Sequence, residues 1–162
     1  VQKIIPNLWF DTQAEEAANF YISVFGDGKI TSVMRYGPDT PGPEGTVMSV
    51  SFELRGQQFV GINGGPLFPF TEAVSFEIDC ESQEEIDHFW DALVEGGEPG
   101  PCGWLKDRYG LSWQIVPTEW NTMMTDPDPV KVQRGMQAML ATQGKFDVAA
   151  LRAAFEGVDQ PA

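Results

Sequence analysis

Phe10-Asp11-Thr12-Gln13-Ala14-Glu15-Glu16-Ala17-Ala18-Asn19-Phe20-Tyr21-Ile22-Ser23-Val24-Phe25-Gly26 returns in altered form as Cys80-Glu81-Ser82-Gln83-Glu84-Glu85-Ile86-Asp87-His88-Phe89-Trp90-Asp91-Ala92-Leu93-Val94-Glu95-Gly96. The two stretches lie about 70 positions apart, a period long enough for one supersecondary unit. Asp11 falls on Glu81, Thr12 on Ser82, Gln13 on Gln83, Glu15 on Glu85, Phe20 on Trp90 and Gly26 on Gly96. Each stretch reads as a helix. Thr12 with Glu15, and Ser82 with Glu85, have the spacing of a capping box, and glycine ends both runs. Ala14, Ala17, Ala18, Tyr21 and Phe25 predict one apolar stripe, and Ile86, Phe89, Trp90, Leu93 and Val94 predict the other.

The flanking sequence repeats too. Residues 3–10 read as a strand, with Pro6 marking an irregular start. Runs at 29–36, 46–54 and 57–63 predict three more, the last two joined by a tight turn at Arg55-Gly56. In the second half, strands are expected at 73–80 and near 98–101, followed by a hairpin over residues 102–117 that turns at Asp107 and Gly110. In its second arm Ser112, Gln114 and Val116 point one way, and Leu111, Trp113 and Ile115 the other. The chain therefore predicts an α+β fold of two tandem βαβββ modules, 3–64 and 73–117 within a body of 1–120. A helical extension over 121–162 follows. There Asp128 with Pro129 caps a helix bearing Val132, Met136, Met139 and Leu140, and Asp147 caps a last one with Val148, Leu151 and Phe155. These stripes must pack on their own sheet or on a second subunit.

With 162 residues and 42% hydrophobic content the chain is long enough for a packed core. Its 24 acidic against 10 basic residues give a formal charge of -14, which opposes binding to nucleic acid or an anionic membrane. No apolar run is long enough to span a bilayer and no leader is visible, so the expectation is a cytoplasmic protein with no membrane partner. Cys80 and Cys102 make no metal-binding spacing and are expected to pack as thiols, with Cys102 the alternative candidate for a reactive one. His88, the sole histidine, lies off the apolar stripe and is expected in solvent.

The repeat, together with Phe10-Asp11-x-x-Ala14-Glu15-Glu16-Ala17, Gly64-Gly65-Pro66 and Cys102-Gly103-Trp104-Leu105-Lys106-Asp107, resembles the vicinal oxygen chelate superfamily over residues 3–117. Within that group of glyoxalases, bleomycin-resistance proteins and dioxygenases, it looks like the PhnB-like branch, labelled 3-demethylubiquinone 3-methyltransferase-like. The resemblance implies sheets curled into cups, a dimer, and, in metal-using relatives, four side chains around one divalent ion. By that alignment the ligand positions fall on Ile4 or Ile5, Gly61, Ala73 and Gln114. Three of the four lack a donor, which predicts no metal at the usual place and no cofactor. A register slip would bring in Asn7, Asn63, Ser75 or Glu77. The methyltransferase label implies a doubly wound sheet with a glycine-rich first loop, and neither pattern is present.

These readings converge on a homodimer that binds a small organic molecule through Asn7, Trp9, Ser75, Trp104, Ser112 and Gln114, aromatic walls beside a few polar groups. The alternative is an enzyme of the lyase, isomerase or dioxygenase kind, with Glu77 as a catalytic base of raised pKa or with a displaced metal.

Overall fold

A computed structural model describes residues 4–158 of the chain; Lys3, where the first predicted strand begins, lies outside that range. The chain divides into two compact units that meet in sequence between Phe70 and Thr71. Each unit holds a four-stranded mixed sheet laid down in the order strand, helix, three strands, so the α+β pair of βαβββ modules is confirmed.

In the first unit β1 (Asn7–Phe10), α1 (Ala14–Phe25), β2 (Gly28–Arg35), β3 (Val47–Leu54) and β4 (Gln57–Asn63) form a sheet ordered β1-β4-β3-β2. β1 runs parallel to β4 and the other pairs are antiparallel. Ala14, Ala17, Ala18, Tyr21 and Val24 of α1 are buried against Leu8, Phe10, Val50, Phe52, Leu54 and Phe59. Val24 rather than Phe25 completes the stripe, because it repeats Ala17 at i+7 and Tyr21 at i+3. Alanine on this face lets the helix lie close to the sheet: a side chain at Gly61 would stand 3.1 Å from the Ala14 Cβ. The Arg55-Gly56 turn forms with φ values of 45° and 82°, the left-handed pair that a two-residue hairpin loop requires.

The capping box predicted at Thr12 and Glu15 does not form. The helix starts after Gln13, whose side chain makes no cap, while the Thr12 N–H donates to Gln13 Oε1 at 3.2 Å. A residue 49 positions away caps the helix instead: Asn63 Oδ1 accepts from the Ala14 N–H at 2.8 Å, and its Nδ2 donates to the Val47 carbonyl at 3.1 Å. Asn63→Ala is expected to lower stability by about 1 kcal/mol in urea denaturation, whereas Thr12→Ala should be near neutral. Equal losses at both positions would restore the Thr12 cap.

The second unit contains β5 (Ser75–Cys80), α2 (Gln83–Val94), β6 (Glu98–Pro99), β7 (Trp104–Lys106) and β8 (Ser112–Pro117), in the sheet order β5-β8-β7-β6 with β5 parallel to β8. Here the predicted serine cap is present, with Ser82 Oγ accepting from the Glu85 N–H at 3.3 Å. Glu85 Oε2 accepts from the Glu81 N–H, one residue before the partner of a reciprocal box. Ile86, Phe89, Trp90 and Leu93 are buried as expected. β5 starts two residues later than predicted, since residues 72–74 turn before entering it.

Among the described residues three helices follow: α3 (Glu119–Met124), not anticipated from sequence, then α4 (Pro129–Ala141) and α5 (Val148–Glu156). Asp128 and Asp147 cap α4 and α5 as predicted. Leu151 and Phe155 of α5 are buried. On α4, Met136 and Leu140 of the expected stripe are exposed, and the contact is made through Gly135 instead, where an added Cβ would lie 3.2 Å from the Phe155 ring.

The segment between α4 and α5 docks on its own unit. Cys102 N–H donates to the Thr142 carbonyl and Gly103 N–H to the Gly144 carbonyl, at 3.0 and 2.9 Å. Gln83 Nε2 donates to the Phe146 carbonyl while Gln83 Oε1 accepts from the Val148 N–H. Among the described residues no helix is long and apolar enough to cross a membrane.

Candidate functional site

The turn between β7 and β8 is organised by Asp107. Its carboxylate is almost completely buried and accepts from the Tyr109 N–H at 2.8 Å, the Leu111 N–H at 3.1 Å and the Trp113 Nε1–H at 2.9 Å. Charge-assisted bonds from three donors compensate the loss of hydration. The turn thereby fixes the register of the arms: Trp104 opposite Gln114, Leu105 opposite Trp113, and Lys106 opposite Ser112.

Side-chain alternation then sorts the second sheet into two faces. Leu105, Trp113, Ile115, Ile78 and Cys80 are buried on one. The other carries chemistry in rows that run across strands. One row is Ser75 on β5, Ser112 on β8, Lys106 on β7 and Glu98 on β6; the next is Glu77, Gln114 and Trp104. Opposed residues in such rows have Cβ atoms about 5 Å apart, close enough to share one ligand. Five of the seven sequence-predicted residues, Ser75, Glu77, Trp104, Ser112 and Gln114, share this face.

Within the rows Gln114 Nε2 donates to Ser75 Oγ at 2.9 Å, so the mid-strand amide is held by its neighbour. Lys106 Nζ pairs with Glu72 Oε1 at 2.5 Å. The Lys106 hydrogen bond holds the Glu72 carboxyl below its usual range, and the same bond raises the lysine. Ser112 is 1% exposed, and its Oγ is the buried side-chain polar atom that finds no hydrogen-bond partner among the described residues. A cavity of about 360 Å³ adjoins this row, lined by Glu72, Glu98, Pro99, Trp104, Lys106 and Ser112.

Glu77 lies exposed on the same face. Partial burial raises its pKa, and the charge of Asp79 and a hydrogen bond with that residue add to the effect.

The other two predicted residues occupy the first sheet. Asn7 is exposed and donates to the Ile5 carbonyl at 3.0 Å. Trp9 is held by the segment that follows β4: its Nε1 donates to the Gly65 carbonyl at 2.9 Å, and its ring meets Phe68 edge-on at 5.1 Å. Glycine is required at Gly64, where a Cβ would fall within 2.1 Å of the Trp9 ring. A second cavity of about 770 Å³ in this unit is lined by Asp11, Glu15, Glu16, Tyr36 and Asn63. Its charged lining is acidic, and its Asn63 is engaged in capping α1.

The metal positions read from the resemblance do not lie together on a sheet face. Ile4, Ile5 and Ala73 precede their strands, and Gly61 faces α1 through Ala14. In the strand pairing, Asn7 stands against Val60 in the first sheet and Glu77 against Gln114 in the second. Asn63, offered by a register slip, is a helix cap. The first pair holds an amide and a valine, and the second a carboxylate and an amide. Neither pair by itself supplies the several converging donors of a zinc, iron, manganese or nickel site. Among the described residues no group of three or more His, Cys, Asp or Glu is placed to hold an ion.

His88 is exposed, with its ring edge-on to Phe89 at 5.1 Å. Cys80 is buried and Cys102 half-buried, both as free thiols. Lys106 and Glu72 are additions to the sequence-predicted set. Lys106 was within reach of the alternation rule, since it lies two residues beyond Trp104 and must share its face. Glu72, in a turn, carries no such signal.

The sequence matches the model of the family described as 3-demethylubiquinone-9 3-methyltransferase over residues 2–116. Among solved structures the PhnB protein from Bacillus cereus is 41% identical, with the match spanning 72% of this chain and 99% of that one at a TM-score of 0.65. Protein PA1353 from Pseudomonas aeruginosa is 23% identical over 72% of this chain and 98% of its own, with a TM-score of 0.58. A genomically encoded fosfomycin resistance protein, FosX, from Listeria monocytogenes is 12% identical over 77% and 98%, with a TM-score of 0.57. The last two share the fold alone. No curated protein matches.

Proposed function

We propose, from the premise that this chain belongs to the PhnB-like 3-demethylubiquinone-9 3-methyltransferase family of the vicinal oxygen chelate superfamily, that it binds a small organic molecule on the polar face of its second sheet. It does so as a homodimer and without a metal at the superfamily's usual place. The observation that supports this reading is Ser112, a buried hydroxyl with no partner among the described residues, at the wall of a cavity that also presents Lys106 and Trp104. A buried hydroxyl left unmade costs about 1–3 kcal/mol, and a ligand atom that meets it recovers that cost. Trp104 supplies apolar area, and Lys106 supplies orientation.

Amide chemical shifts during a fragment screen test the proposal. Hits should cluster their perturbations at Ser75, Trp104, Lys106, Ser112 and Gln114. Hits confined to other surfaces would overturn it. Sedimentation equilibrium should give twice the chain mass, and elemental analysis should give far less than one transition-metal ion per chain.

Methyl transfer, the reaction in the family's description, is not part of the proposal. Each sheet contains a single parallel strand pair, not the doubly wound parallel sheet on which an S-adenosylmethionine site is built. S-adenosylmethionine is expected to leave the second-sheet amides unmoved.

Glu77 favours a second reading, an enzyme of the lyase, isomerase or dioxygenase type in which this carboxyl acts as the base. Its raised pKa suits that role, and the shift has a sign that can be measured. A carboxyl whose pKa is higher in the folded state contributes stability that is fully present below its unfolded value, about 4.3. That contribution disappears as pH rises through the folded value. The urea midpoint of Glu77→Gln should therefore gain on that of the parent chain as pH increases from about 4 to 7. Parallel profiles would remove the shift and, with it, the support for a base at this position.

A further inference from the structure

We propose that the ligand is anchored by a carboxylate and that Glu72 occupies the carboxylate's place when no ligand is bound. The inference rests on the binding reading above and names the class of molecule bound.

The row Ser75, Ser112, Lys106, Glu98 has an order that matters. Lys106 stands between a hydroxyl on β8 and a carboxylate on β6. The ammonium is a compact point charge on a flexible stem, and it is already engaged: Glu72 Oε1 lies 2.5 Å from Nζ. The chain itself therefore shows which chemistry this lysine accepts. Glu72 belongs to the turn ahead of β5 and its side chain is 60% exposed. An ion pair open to solvent on a turn is weakly held and readily exchanged. The Ser112 hydroxyl, directly across the strand pair from Lys106, has no partner among the described residues. An incoming carboxylate can take both groups, keeping the lysine pair with one oxygen and receiving the serine O–H with the other.

Charge selects among anions. Glu98 faces Lys106 from the far strand, Glu72 lies at the rim, and the chain carries a formal charge of -14. A single negative charge is matched by Lys106, whereas a dianion such as a phosphate monoester leaves one charge uncompensated beside Glu98. The Trp104 ring, two residues before Lys106 on the same face, gives the body of the ligand a flat apolar wall. The class is thus a monocarboxylic acid with an aromatic or otherwise planar body.

Three ring-matched probes, benzoate, benzamide and benzylamine, are titrated into the full chain and followed by amide chemical shifts. Benzoate should saturate the shifts of Trp104, Lys106 and Ser112 while the other two leave them in place. Glu72→Gln should tighten benzoate about three- to tenfold by removing the competitor. Ser112→Ala should weaken it about tenfold, and Lys106→Met should abolish saturation with the circular dichroism spectrum unchanged. Benzamide or benzylamine binding at the same amides as tightly as benzoate would overturn the carboxylate and leave the binding site standing. Benzoate affinity unchanged in Glu72→Gln would overturn the stand-in role of Glu72. If no probe and no screened fragment moves these amides, both readings fall.

Discussion

Replacing Asp107 with alanine is expected to cost about 4 kcal/mol of folding stability, because three donors lose one buried acceptor at once. Two of them, the N–H groups of Tyr109 and Leu111, belong to the turn itself, and the third is the indole of Trp113 in the core. Hydrogen bonds to a charged group are worth about 1.5–3 kcal/mol each, and the turn can relax to wet only the two backbone donors. Asp107→Asn separates the contributions. Its amide keeps an oxygen for the backbone but presents an NH2 to the Trp113 N–H, so about half the loss is expected. Urea denaturation gives both numbers, and near-ultraviolet circular dichroism reports the Trp113 environment. A loss below about 1 kcal/mol for alanine would show that the carboxylate does not hold the turn.

Gly103→Ala is expected to be nearly as damaging, at about 3–4 kcal/mol. Gly103 has φ of 76°, which an alanine adopts at a cost of about 1–2 kcal/mol. The added methyl would also lie 2.6 Å from the Ile115 carbonyl oxygen and 2.6 Å from the Phe146 ring. Neither can give way freely, since Gly103 O accepts from the Ile115 N–H and Phe146 is buried. Gly110 provides the control. It has φ of 86° and open space around its missing Cβ, so Gly110→Ala should show the backbone cost alone. Similar losses for the two variants would mean that Phe146 and β8 yield to the methyl.

The helices, the two-residue turn at Arg55-Gly56 and the order of the hairpin strands were legible because each rests on signals a few residues apart: alternation, a left-handed pair, an aspartate before a proline. Two of the failures share one cause, and the third is a matter of length. Thr12 had every local qualification as a cap and lost to Asn63, which only the pairing of β4 with β1 brings to the helix end. Gly61 was placed facing a site, yet one residue of register puts it under Ala14. The short α3 spans six residues, fewer than two turns, too few for a helical period to declare itself.

The candidate site divides along the same line. Ser75, Glu77, Trp104, Ser112 and Gln114 were found because they alternate along strands, whereas Glu72 was not, because its place beside Lys106 depends on how a turn folds back. Asn7 and Trp9 sit at matching positions in the other sheet, and there Trp9 is committed to the Gly64–Phe70 segment.

The docking of residues 142–146 has an evolutionary consequence. Cys102 and Gly103 grip this segment by donating to the carbonyls of Thr142 and Gly144, and Gln83 donates to that of Phe146. Every amino acid offers a carbonyl, so Thr142 and Gly144 are under little pressure to keep their identities, whereas Phe146 is also held by its buried ring. The gripping positions are not equally free, because Gly103 admits no side chain and Gln83 needs both ends of its amide. Sequence drift should therefore be asymmetric: rapid at Thr142 and Gly144, slow at Gly103 and Gln83, which help to hold the segment.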